Sequence, residues 1–310
     1  MKYKMLIFLF LGIIGIVIFS ATGVRTIGDS REEPSVDLFK QVEPLVVEGY
    51  SENAMEPCLS ADGKYLLFND SNAPESISKI HVSRRVMDSK FKYLGKLSGV
   101  ASNAKDLAPS MDDFGNIYFT SLREYPKTLK SLFCGKFENE KVLDVRAIEG
   151  DISSRIPGWL NMDCEVSRDG KLLCFSRARF EPGGHVPVES DLLLAQVIDG
   201  KVIKIADSDL IMKNINTEAL EYAPAFARNG LEIYFNRSNI LMAGNTVKGA
   251  EMRIMLSKRE SLEKPFGPPA KLKNIDGLVE GATLSGDGSE LIFHKKVGKS
   301  FRLFRACERN

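Results

Sequence analysis

Acidic residues recur at one register of this 310-residue chain: Glu56, Asp106, Asp163, Glu165, Glu221 and Glu280. Basic residues recur a short step further on: Arg123, Arg177, Arg179, Arg237 and Lys295. Two chemistries are open to such sets. Facing each other, they form ion pairs that fasten one element to the next, each contributing little when exposed. Converging on a pocket, they hold a ligand or a cation, and arginine forks suit a carboxylate or a sugar acid. Paired acids, Asp163 with Glu221 for instance, could also supply an acid and a base for glycoside cleavage.

Other chemistry-bearing residues are sparse. The only tryptophan, Trp159, stands beside Arg155 in the segment SSRIPGWLNMD at 153–163. An exposed Trp there suits a sugar or peptide partner, and a packed loop anchor is the plainer alternative. His81, His185 and His294 are too scattered to suggest a metal centre, and neither a metal nor a cofactor is expected. His294 directly follows Phe293. No G-x-S-x-G elbow, H-E-x-x-H or phosphate-binding glycine loop is present. Cys58, Cys134, Cys164, Cys174 and Cys307 are odd in number, so at least one thiol stays free and the pairing is open. Cys164 and Cys174 flank a turn and could meet across it.

The elements that position these residues are legible as repeats. The stretches are EPCLSADGKYLLF at 56–68, APSMDDFGNIYF at 108–119, DCEVSRDGKLLCF at 163–175, APAFARNGLEIYF at 223–235 and GATLSGDGSELIF at 281–293. Each places a turn dipeptide ending in Gly63, Gly115, Gly170, Gly230 or Gly288 between alternating stretches, the pattern of a hairpin. Each second stretch ends in Phe: Phe68, Phe119, Phe175, Phe235 and Phe293. A third strand follows every copy, and a fourth follows all but the last. VEPLVVEG at 42–49 matches the missing fourth strand. The expected fold is therefore all-β, a five-bladed β-propeller of four-stranded blades over 42–310, its ring closed by strand 42–49 joining the last blade.

These repeats resemble the TolB-like, WD-type propeller family, whose signature is P-x-φ-S-x-D-G followed by K-φ-φ-φ-F. Pro57, Ser60, Asp62, Gly63, Lys64 and Phe68 match it, as do Ser167, Asp169, Gly170 and Lys171. Phe114 and Asn229 depart from Asp, and Cys164 and Ala282 depart from Pro. In such a propeller the first strands line the channel. The face opposite the hairpins carries the strand-one openings and the two–three loops, and it is the usual binding surface. The resemblance thus implies a channel-mouth site drawn from Glu56, Asp106, Arg123, Trp159, Asp163, Glu165, Arg177, Glu221, Arg237, Glu280 and His294. Loops at 180–190 and 238–251 are longer than usual on the same face.

Bulk properties narrow the partners. Hydrophobic residues make up 44% of the chain, and the net charge is +1, so a core is expected and a nucleic-acid surface is not. Lys2 and Lys4 precede an apolar run from Met5 to Phe19 and small residues to Gly23, which describes a signal peptide or an uncleaved anchor. Residues 24–41 are expected to be a linker. The expectation is an exported, periplasmic or extracellular propeller that touches membrane only through its N-terminus. It would act as a non-catalytic binding module for a protein partner or a cell-envelope glycan, with oligomeric state open. The alternative is a carbohydrate-active hydrolase or lyase using the channel-mouth carboxylates.

Overall fold

The computed structural model describes residues 24–27, 33–73, 75–227, 229–243 and 246–308. The expected apolar run and cleavage region lie outside these residues. Among the described residues no helix is long and apolar enough to cross a membrane.

Five blades of antiparallel strands follow one another along the chain, the third and fourth joined by a parallel contact of Ser190 with Leu220. Blade one comprises Met55–Leu59, Tyr65–Asn69, Ile80–Met87 and Lys90–Lys96. Blade two comprises Asp106–Met111, Asn116–Ser121, Leu132–Glu138 and Lys141–Ala147. Blade three comprises Trp159–Val166, Leu172–Arg179, Glu189–Ile198 and Lys201–Lys204. Blade four comprises Leu220–Phe226, Glu232–Ala243, Thr246–Lys258 and Ala270–Leu272. Blade five comprises Val279–Leu284, Glu290–Val297 and Ser300–Glu308, and its fourth strand, Phe39–Pro44, comes from the start of the fold.

The closing strand differs in extent from the expected 42–49. Phe39–Pro44 pairs antiparallel with blade five, whereas Val46–Glu48 pairs parallel with Lys90–Lys96 of blade one. The switch happens at Leu45. Its N–H still reaches Leu303 of blade five, and the next N–H, from Val46, already reaches Ser89 of blade one. The Leu45 side chain is buried between the two blades with Leu59, Phe68, Phe91, Ile292 and Leu303. One apolar residue thus seals the seam where the ring would otherwise open.

Residues 24–41 also carry strand. Val24–Ile27 pairs with the outer end of Glu232–Ala243, and Ser35–Val36 lies parallel to Ala270–Leu272. The segment at 238–251, expected as a loop, is the continuation of the strand-two/strand-three hairpin of blade four, paired from Ser238–Met252 to Ala243–Thr246 with one register shift between Leu241 and Met242. Trp159 is likewise not on a loop: it begins a strand, half-buried, and its carbonyl accepts the Tyr125 hydroxyl.

The repeat motif has a local cause. Ser60 Oγ donates to Asp62 Oδ1 and accepts the Tyr65 N–H, while Asp62 also accepts the Lys64 N–H. Ser167 with Asp169 and Ser285 with Asp287 repeat the arrangement. These bonds hold the Asp287 carboxyl down to about 2. The glycine one residue on takes a positive φ in all five turns. The repeat Phe of each second strand is fully buried although every strand runs on past it, and the apolar cores lie between successive blades.

Candidate active site

Each first strand slips register once, at the same place in the repeat. The residue at the slip has left-handed backbone: Glu56 (φ 48°), Ala108 (45°), Asp163 (48°), Ala223 (47°) and Gly281 (63°). Four of the five are not glycine, a conformation that costs free energy and persists only when the surroundings enforce it. The enforcement is visible. The amides of Glu56, Ala108, Asp163 and Gly281 donate to His294 Nδ1, Asn69 Oδ1, Thr120 Oγ1 and Asn236 Oδ1. Every acceptor is the residue directly after the repeat Phe of the preceding blade, and His294 to Glu56 closes the circuit from blade five to blade one. At the remaining seam Ser176 Oγ has no partner, and the Ala223 amide bonds the Asp163 carboxylate instead.

This ring of bulges forms the neck of the central channel, a cavity of about 20 Å³. That is room for about one water. Three carboxylates line it, Glu56, Asp163 and Glu165, among Pro57, Pro109 and Pro224. Gly281 is required opposite Glu56, because a Cβ there would come within 2.5 Å of Glu56 Oε2. At the hairpin face Arg168 spans the channel, donating to the carbonyls of Leu59 (3.4 Å) and Leu284 (2.6 Å). The approach to the carboxylates is thus from the opposite, mouth face.

The acids are held differently. Glu56 Oε1 accepts from Asn72 at 3.0 Å, and Asn72 is held by Asn69. Glu280 accepts the Tyr222 hydroxyl at 2.6 Å and sits 3.2 Å from His294 Nε2. Because His294 Nδ1 accepts the Glu56 amide, the ring proton of the neutral imidazole is on Nε2 and points to Glu280. Glu165 accepts the Ser110 hydroxyl at 2.6 Å and the Phe226 amide at 3.3 Å.

Burial moves these groups. Burial, followed by the charges of Glu56 and Glu280, holds the Asp163 carboxyl well above the usual range. Glu56 is raised chiefly by burial. Burial pushes Glu165 up to about 7, against the pull of Ser110, Arg168 and the Phe226 amide. Raised carboxylates in a cleft are what proton transfer to a substrate requires.

The expected set therefore divides. Glu56, Asp163, Glu165, Glu280 and His294 come together at the neck. Asp106 does not: it is saturated by Ser102, Ser121 and Arg123, whose guanidinium lies over Phe119 and Phe133. Glu221 is likewise taken by Thr217 and Arg237. Both pairs join the first two strands within a blade, not one blade to the next. Arg177 is bound to Ile152 O and Asn161, Arg179 to Glu181 and Glu189, and Trp159 lends its backbone. Two residues separate the classes. Asp106 and Glu221 precede the bulge by two positions and face their own second strand, whereas Glu56 and Asp163 occupy it.

Although the three histidines are scattered in sequence, His294 meets two acids. One ligand atom each from Glu56, Glu280 and His294 lies within 4.8 Å of the others, so these three could hold a cation. As arranged, both ring nitrogens are engaged. Arg168, Tyr222, Asn72 and Ser110 belong to the site without any sequence signal that marks them. The polar residue that follows each repeat Phe was the visible signal for the amide-capturing set. All five cysteines are free thiols, four of them buried.

No protein-family model matches the chain, and no curated protein does. Solved structures do. The catalytic domain of a Coprinopsis cinerea GH62 alpha-L-arabinofuranosidase is 11% identical, with 89% of this chain and 98% of that one covered at a TM-score of 0.54. A family 117 glycoside hydrolase from Zobellia galactanivorans is 10% identical, covering 87% and 91%, with a TM-score of 0.53. TolB from Acinetobacter baumannii is also found, at 12% identity and a TM-score of 0.43, with 55% of that chain covered. At these identities the likeness establishes the five-bladed propeller. The expectation of a non-catalytic binding module is corrected in favour of its carbohydrate-active alternative: the solved propellers matched over nearly their whole length include glycoside hydrolases, and the neck carboxylates are not consumed by arginines.

Proposed function

We infer that this propeller is a carbohydrate-active enzyme that cleaves a glycosidic bond at the channel neck. The observation that carries this is that Glu56, Asp163 and Glu165 line a space for one water without a lysine or arginine ion pair among the described residues. Asp163, whose protonated form is favoured by burial and by its acidic neighbours, is the general acid that delivers a proton to the leaving oxygen. Glu165, titrating near 7, is the base that takes a proton from the attacking water. Glu280, with Tyr222 and His294, sits behind Glu56 and supplies the negative charge that helps keep Asp163 protonated. The sugar ring, too large for the neck, lies over it from the mouth face.

The TolB-like motif supports a description of the blades rather than of the chemistry, since its Ser, Asp and Gly act in the hairpin turns. The apolar run Met5–Phe19 supports placing the activity outside the cytoplasm, on an envelope or environmental glycan.

The pH profile tests the assignment. A base with a value of about 7 must be ionised, so kcat/KM on a cleaved glycan is expected to rise as pH climbs through about 7. In Glu165→Gln the rising limb disappears along with most of the rate. A rising limb that persists unchanged in Glu165→Gln rejects Glu165 as the base.

A further inference from the structure

Arg237 and Arg253 face each other directly across the second and third strands of blade four. Their side chains are 3% and 10% exposed. Like charges at directly opposed positions repel, the more so away from water, so an anion is needed between them. Arg237 is fully used, by Glu221, by the Ile215 carbonyl and by Glu33. Arg253 is not. Its Nη1 lies 3.2 Å from Glu33 Oε2 and 3.7 Å from the exposed Glu251. Its Nε and Nη2 are buried with no hydrogen-bond partner. Those two atoms form one edge of the guanidinium, the fork that matches both oxygens of a carboxylate. Glu33 Oε2 itself accepts no hydrogen bond. The occupant of this site is thus a carboxylate from far along the chain that supplies charge but leaves the better half of the donors unused.

We propose that Arg237 and Arg253 form a carboxylate-binding site on the mouth face of blade four, which Glu33 fills in cis and which a carboxylate-bearing sugar of an acidic glycan takes by displacing it. Glu33 precedes Ser35–Val36, the short strand beside Ala270–Leu272, so the occupant is tethered at the edge of blade four. The incoming carboxylate gains the free Arg253 fork as well as the charge of both arginines. The acidic-glycan class rests on the carbohydrate reading above. The carboxylate site does not, and it is tested without any cleavage.

The test is chemical rescue of Glu33→Ala in the full chain. Removing Glu33 leaves two opposed buried arginines and lowers the thermal midpoint. Sodium glucuronate is expected to restore it in a saturable, millimolar-range titration, while glucose and ionic-strength-matched sodium chloride do not. Adding Arg253→Met abolishes the rescue. Should Glu33→Ala fail to fold, Glu33→Gln keeps the volume without the charge, and calorimetry should detect glucuronate binding to it more tightly than to the wild type, where the sugar must displace Glu33. The proposal is overturned if glucuronate gives no saturable effect with either variant, if glucose matches it, or if the effect survives Arg253→Met. Glucuronate binding in a protein that cleaves no glycan would leave this site standing and remove only the enzyme reading.

Discussion

Glu165→Gln is expected to stabilise the protein at pH 8 while leaving its stability near pH 4 almost unchanged. The Glu165 carboxyl has an ordinary value of 4.5 and is pushed by burial to about 7 in the fold. Between those values the folded chain binds a proton that the unfolded chain releases. The stabilisation is therefore complete below about 4.5 and is lost as pH rises through about 7. At about 1.4 kcal/mol per unit, the loss is at most on the order of 3 kcal/mol. Gln mimics the protonated acid: its carbonyl can accept the Phe226 amide, and its NH₂ can donate to Ser110 Oγ. Thermal midpoints measured from pH 4 to pH 8 should show the wild type falling by several degrees more than the variant. Parallel curves would show that Glu165 is already ionised in the fold at low pH.

The second large effect concerns ring closure. His294 is fully buried, accepts the Glu56 amide from blade one and donates to Glu280. His294→Ala leaves that amide and that carboxylate short of partners, and should cost about 3–5 kcal/mol in urea unfolding. The fold itself offers a comparison. Asn69 and Asn236, at the same repeat position, each capture the amide of the next bulge. His294→Asn should therefore recover roughly half of the loss by restoring the Glu56 contact without the full link to Glu280. Equal destabilisation by Ala and Asn would mean that the amide capture is not what fastens blade five to blade one.

The contrast between these two residues shows how far the sequence could be read. The fold was legible because it rests on local signals repeated five times: a Gly-bearing turn, an alternating strand and a terminal Phe. Even the borrowed closing strand was recognisable, although its boundary was not, because the exchange from blade five to blade one turns on the burial of a single residue, Leu45. The site was legible only as a band of acids. Asp106 and Asp163 look alike in sequence, and two positions of register decide that one meets Arg123 while the other enters the channel. That register is set by the bulge, and a bulge held by a side chain of the neighbouring blade leaves no local signature. Arg168 was hidden for a similar reason: in sequence it is an ordinary hairpin residue, and only the closed ring brings the carbonyls of Leu59 and Leu284 within its reach. The Arg237–Arg253 opposition was equally invisible, since 238–251 read as a loop rather than as the continuation of a hairpin.

The most direct test of the neck as a cleavage site compares wild type with Asp163→Asn on two kinds of substrate. One is a panel of neutral and acidic polysaccharides, followed by release of reducing ends. The other is a panel of 4-nitrophenyl pentosides and hexosides, whose leaving group needs no proton. The account predicts that the wild type releases reducing ends from at least one polysaccharide and that Asp163→Asn lowers this by about 10²–10⁴-fold. The loss should be far smaller on the matching nitrophenyl glycoside. No release above blank by the wild type across both panels, or the same release from wild type and Asp163→Asn, would contradict it.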